Sequence, residues 1–221
     1  MLIALARMKD VPEYAIDKKS QGNVWKSIKR GVHFALESRV ILGVLAVSVV
    51  SGIFARSYGP LLVIFARDEF HVGSFKFGLM VAAPGIGTLI AAFFLASRKD
   101  MGERGKKLWI FVSALSVVLM IFAAMPWYFG GLPMLVVTGF CATLTAATMA
   151  TIIQLQTPQE LRGRIMSIYM MTLIAVPSIG TLIIGSIADI IGVRVTVFTG
   201  AAIVLGIVAL IFMRNQQLRE V

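Results

Sequence analysis

The amino-acid sequence predicts an all-α membrane protein, a bundle of six transmembrane helices, on three observations. Six apolar runs are each long enough to cross a hydrocarbon core, which takes about 20 residues. Of the 221 residues, 58% are hydrophobic and only 14% charged, whereas a soluble domain carries roughly 25% charged residues. Lys and Arg crowd into alternate connections, the mark of a chain threaded through a membrane in one orientation.

Taken in order, residues 1–39 form a lead-in, 40–213 the bundle and 214–221 a short tail. Residues 1–6 are apolar but too few to span, and read either as an ordinary start or as the end of a preceding helix. Trp25, Ile28, Val32 and Leu36 recur at helical spacing with Lys26, Lys29 and Arg30 between them, which predicts an amphipathic helix lying on an anionic membrane surface. The first span, 40–66, holds Arg56 and Pro60 and should tilt or kink. The second, 77–96, spaces Ala83, Gly87 and Ala91 by four, as close helix packing requires, with Pro84 and Gly85 beside them. The third and fourth are 108–125 and 132–153. The fifth, 165–190, contains Pro177, and the sixth, 193–213, follows with almost no loop, so these two make a tight hairpin.

Charge sets the orientation. The lead-in, the connections after the second and fourth spans and the tail share 17 Lys and Arg, from Arg7 to Arg219; the opposite side holds only Arg67, Lys76 and Arg194. The positive-inside rule makes the basic side cytoplasmic, with both termini there. The formal charge of +10 therefore speaks for anionic lipid and topology. It does not speak for nucleic acid, because no basic segment is interleaved with stacking aromatics. Cys141 sits inside an apolar run and implies no disulfide. No metal-ligand cluster, phosphate loop or Ser/His/Asp set appears, so neither an enzyme nor a metal or cofactor is expected.

Polar residues are uneven among the spans. The third and sixth carry few, as lipid-facing helices should. The first holds Ser48, Ser51, Arg56, Ser57 and Tyr58, and the fourth holds Thr138, Thr143, Thr145, Thr148 and Thr151. Polar groups in hydrocarbon usually face a bundle interior or a wet cavity, so these two helices are the candidate pathway lining, with Arg56, Tyr58, Thr145 and Thr148 as its residues. The threonines equally suit close packing, since Gly139, Thr143, Ala147 and Thr151 are spaced by four. Arg56 lies about ten residues from the far end of its span, roughly 15 Å by helical rise. It requires a counter-charge, carbonyls, water or an anionic solute, and both a pathway contact and a structural clamp remain open. No acidic residue sits at mid-membrane; Asp189 is the nearest, at the end of the fifth span.

Leu155-Gln156-Thr157-Pro158-Gln159-Glu160-Leu161-Arg162-Gly163-Arg164-Ile165-Met166-Ser167 resembles the cytoplasmic loop between helices ten and eleven of the major facilitator superfamily. More narrowly, it resembles the branch of the enterobactin exporter and related efflux permeases. Gly185, Asp189, Gly192 and Arg194 are similar to that superfamily's G-x-x-x-D-x-x-G-x-R signature, in which glycines allow a close approach and a tight reversal and the carboxylate can cap or pair with arginine. Gly105, Lys106 and Lys107 resemble the tail of the same signature, although Gly102 stands at its aspartate position. The resemblance implies helices seven to twelve of a twelve-helix fold, in the cell (inner) membrane. It implies proton-coupled efflux of a small organic solute, a siderophore or drug, by alternating access. Partners would be the bilayer, the solute, and an N-terminal six-helix half or a second copy. The competing reading is a truncated or structural membrane protein that does not transport.

Overall fold

The computed structural model describes residues 24–97 and 102–215, with side chains from residue 31 onward. The apolar start at 1–6, the side chains of Trp25 and Ile28, Arg98, Lys99 and the tail beyond 215 lie outside that description. Helix α1 is Val24–Glu37. The first span is three pieces: α2 (Arg39–Phe54), α3 (Tyr58–Ile64) and a π-helical turn at Phe65–Glu69. The remaining spans are α4 (Ser74–Ser97), α5 (Arg104–Ala124), α6 (Tyr128–Gln156), α7 (Gln159–Ile191) and α8 (Val193–Arg214). All six are long and apolar enough to cross a membrane.

Several spans outrun their expected limits. The helices α6 and α7 continue to Gln156 and resume at Gln159. Arg162, Gly163 and Arg164 therefore sit in the opening turns of α7 rather than in a loop. Gly105, Lys106 and Lys107 likewise open α5. Hydropathy marks only the apolar stretch, whereas a helix can extend into water through its polar turns.

The first span breaks where backbone accounting says it must. Proline at position 60 has no N–H, and its ring clashes with the carbonyl four residues earlier, at Arg56. The helix accordingly opens at residues 55–57, and Pro60 falls in the first turn of α3, where an N–H has no helical partner to lose. At the break the Ser51 carbonyl accepts from both Ala55 N (2.9 Å) and Arg56 N (2.8 Å). At the other hairpin, Gly192 ends α7 and begins α8 with φ +86°, a conformation that glycine adopts without a Cβ penalty.

Lipid tails are as apolar as leucine, so packing here depends on close contact rather than on escape from water. The helices α4 and α6 meet most extensively. A Cβ on Gly87 would lie 2.7 Å from Phe140 N, and one on Gly139 would lie 2.7 Å from Pro84 Cα. The four-residue stripes of the second and fourth spans thus form one contact. The core has two layers. One contains Ile41, Val112, Met149, Ile152 and Tyr169; the other contains Phe65, Phe122, Leu135, Ile184 and Val197. Phe54 and Tyr58, on either side of the break, pack against both.

Candidate functional site

The break in the first span is built against α7. The Gly52 carbonyl, freed because Arg56 N turns to Ser51, lies 2.9 Å from Ser57 Oγ; the same hydroxyl is 3.0 Å from the Pro177 carbonyl of α7. Its single proton has both carbonyls within reach and is shared or exchanged between them. Gly180 makes this approach possible, since a Cβ there would lie 2.6 Å from Ile53 O. One turn toward the other end, Thr172 Oγ1 donates to Tyr169 O at 2.7 Å, which leaves Ser48 Oγ as donor to Thr172 at 2.8 Å. Tyr169, fully buried, donates from its hydroxyl to Ala146 O of α6 at 2.9 Å. The broken span, α6 and α7 are thereby stitched together at mid-membrane.

Arg56 sits in this break, half-buried. Tyr58, two residues on, and Tyr169 of α7 lie in the neighbourhood of its guanidinium. Among the described residues no carboxylate pairs with it. Of the four predicted pathway residues, Arg56 and Tyr58 lie at the break, and Tyr169, which sequence reasoning did not single out, lies near them. Thr148 is buried and donates to Leu144 O of its own helix at 2.8 Å. Thr145 is also buried, and its hydroxyl oxygen has no hydrogen-bond partner among the described residues.

The motif residues divide between the two ends. At the basic end Gly105 is buried, Lys106 pairs with Glu103 at 2.8 Å, and Arg164 packs closely beneath α1, where a Cβ on Gly31 would lie 3.3 Å from Arg164 Cβ. The hydrogen bond from Lys106, helped by Lys107, holds the Glu103 carboxyl below its ordinary range. Arg162 and Gly163 are exposed.

At the other end Asp189 does not pair with Arg194, one of the two roles its motif offers it. Asp189 is exposed, while Arg194 pairs with Glu69 of the π-helical turn, donates to Met125 O at 2.7 Å and lies 5.7 Å from the Phe70 ring centre. One guanidinium therefore joins the first span, the α5–α6 connection and α8. Its partner was one of three far-side carboxylates, with Asp68 and Asp189, and sequence spacing does not rank them. Gly192 makes the reversal as expected. Gly185 does not mediate a close approach, since a Cβ there would meet nothing within 4 Å.

The helices differ in what they leave uncovered. In their most apolar stretches only 22% of α4 and 17% of α7 are buried, against 56% of the first span and 50% of α6. Phe75, Phe93, Ile174, Leu182 and Ile190 are all more than two-thirds exposed. The first and fourth spans, the candidate pathway lining, thus lie inside, flanked by two more open helices, although the fifth span carries hydroxyls at Ser167, Tyr169, Thr172, Ser178, Thr181 and Ser186 and is the least buried. Among the described residues no three His, Cys, Asp or Glu come together as a metal site. Compared with known proteins, residues 1–221 match the family described as transmembrane secretion effector. No curated protein and no solved structure matches the chain. This multi-pass helical chain belongs to the transmembrane secretion effector family of the major facilitator superfamily.

Proposed function

We propose that the chain is one half of an exporter that moves a small organic solute outward by alternating access, with the open faces of α4 and α7 covered by a second six-helix unit. It acts by moving the solute and catalyses no covalent reaction. A proton is the counter-ion in this reading. In this reading the proton carrier lies in the covering unit, since the spans of this chain hold no mid-membrane carboxylate. Family membership supports transport as such, and the enterobactin-exporter resemblance supports a siderophore- or drug-like solute. Both termini are cytoplasmic in this scheme.

The observation that carries the proposal is Arg56 in its helix break. Placing arginine at a helix centre in a membrane costs about 2.5–3.5 kcal/mol even on insertion scales, and a neutral side chain of similar length would avoid that cost. The break adds two tyrosines beside the guanidinium and no carboxylate among the described residues. Such an arrangement suits an anionic group on a passing solute.

The test is efflux of a catecholate siderophore and of a fluorescent organic anion, by the full-length assembly in proteoliposomes with an imposed proton gradient. Losing a hydrogen bond to a charged group costs about 1.5–3 kcal/mol, so Arg56→Gln should lower efflux about ten- to a hundred-fold per folded molecule. Rescue by Arg56→Lys indicates a point charge rather than a planar fork. Unchanged efflux in both variants, normalised to folded protein, removes Arg56 from the pathway.

A further inference from the structure

A second site lies at the basic end of the bundle, away from the break. The start of α2 and the end of α8 border an open cleft of about 670 Å³, lined by Arg39, Leu42, Ala46, Ile211, Met213 and Arg214. That volume is within the roughly 300–1,000 Å³ of small-molecule sites. Asn215 Nδ2 donates to Arg39 O at 2.7 Å and ties the two helix ends across its rim. Both arginines are exposed. Neither pairs with a carboxylate among the described residues, and Glu37, two residues before Arg39, is engaged by His33 at 3.0 Å.

The cleft is therefore two-toned. Two arginines from different helices stand at the basic ends of the first and last spans, and Leu42, Ala46 and Ile211 follow them into the apolar stretches. An isolated phosphate would use only the first part, and an apolar ligand only the second. A glycerophospholipid uses both, because its phosphate stays at the interface while its acyl chains run down the helix surface. Arginine presents a fork that matches phosphate oxygens, and basic pockets between transmembrane helices recognise anionic headgroups.

We propose that this cleft is a specific binding site for an anionic glycerophospholipid, held by Arg39 and Arg214 and seated along Leu42 and Ile211. The lipid bridges the first and last spans at their basic ends, supplying the counter-charge that no described residue provides.

Native mass spectrometry of the full chain in mild detergent, with phosphatidylglycerol or phosphatidylcholine of identical acyl chains, tests this independently of orientation and of transport. Near an anionic lipid surface each arginine contributes about 1 kcal/mol, so phosphatidylglycerol should be retained at least about five-fold better than phosphatidylcholine. Arg39→Gln with Arg214→Gln should abolish the preference, whereas Lys106→Gln with Arg162→Gln, at the same end of the bundle, should preserve it. Leu42→Trp keeps both charges but crowds the acyl seat, and should weaken retention of either lipid; it also serves if the double glutamine variant fails to fold. Equal retention of the two lipids by the unmodified chain overturns the proposal, as does a preference that survives loss of both arginines. Displacement of the lipid by millimolar inorganic phosphate assigns the site to a free anion and overturns it equally.

Discussion

At the scale of the residue, Arg194 carries the most weight outside the break. Its pair with Glu69 is about three-quarters buried on both sides, and the same guanidinium satisfies Met125 O. Removing one partner of a charged hydrogen bond that is largely shielded costs about 1.5–3 kcal/mol. At about 2–4 °C per kcal/mol for a chain of this size, Arg194→Gln should lower the melting temperature by several degrees. Asp189→Asn should leave it unchanged within error. A double-mutant cycle with Glu69→Gln isolates the pair, and a coupling near zero would assign the loss to the Met125 contact instead. That Arg194 mattered was legible in its motif. Its partner was not, because the π-helical turn that turns Glu69 inward leaves no mark in sequence spacing.

At the scale of the element, glycines that look alike in the sequence should give opposite results. An alanine at Gly180 would drive its methyl into Ile53 O and Cα of the broken span, and overpacking of this kind costs about 1–3 kcal/mol. The same change at Gly185, five residues further along α7, finds open space and should stabilise the helix by about 0.5–1 kcal/mol. Thermal unfolding in detergent checks both signs, and a loss at Gly185 as large as that at Gly180 would contradict the packing described. Spacing by four revealed the α4 and α6 stripes in the sequence, although not that they face one another. The break could be located from Pro60 and its carbonyl at Arg56. The role of Ser57 could not, because its second acceptor lies 120 residues away in α7.

At the scale of the whole molecule, the six spans and the uneven placement of charge were legible from composition and order alone. Which helices are enclosed was legible only in part. Polar content drew the first and fourth spans inward, yet the fifth holds at least as many polar residues, and the third and sixth, with only a few hydroxyls, are not the most open. That position belongs to α4 and α7, and an apolar face gives no sign of whether lipid or protein covers it. Orientation has a direct measurement. A cysteine at Gly73, which is exposed and has open space around it, should react with an impermeant thiol reagent in intact cells. One at exposed Ser97 should be shielded, and native Cys141, buried in α6, should give no background. The reverse pattern would invert the bundle.

The junction of the broken span with Pro177 also has a mechanical consequence. From Tyr58 to Glu69 the second piece of the first span is about 17 Å long at 1.5 Å per residue. A bend of about 10° at Ser57 would sweep the far end sideways by about 3 Å, from the same helical rise. Because Glu69 is tied to Arg194, the start of α8 would be carried along with it. A small angle at the junction would thus become a larger displacement at the Glu69 end, as a lever magnifies movement about its fulcrum.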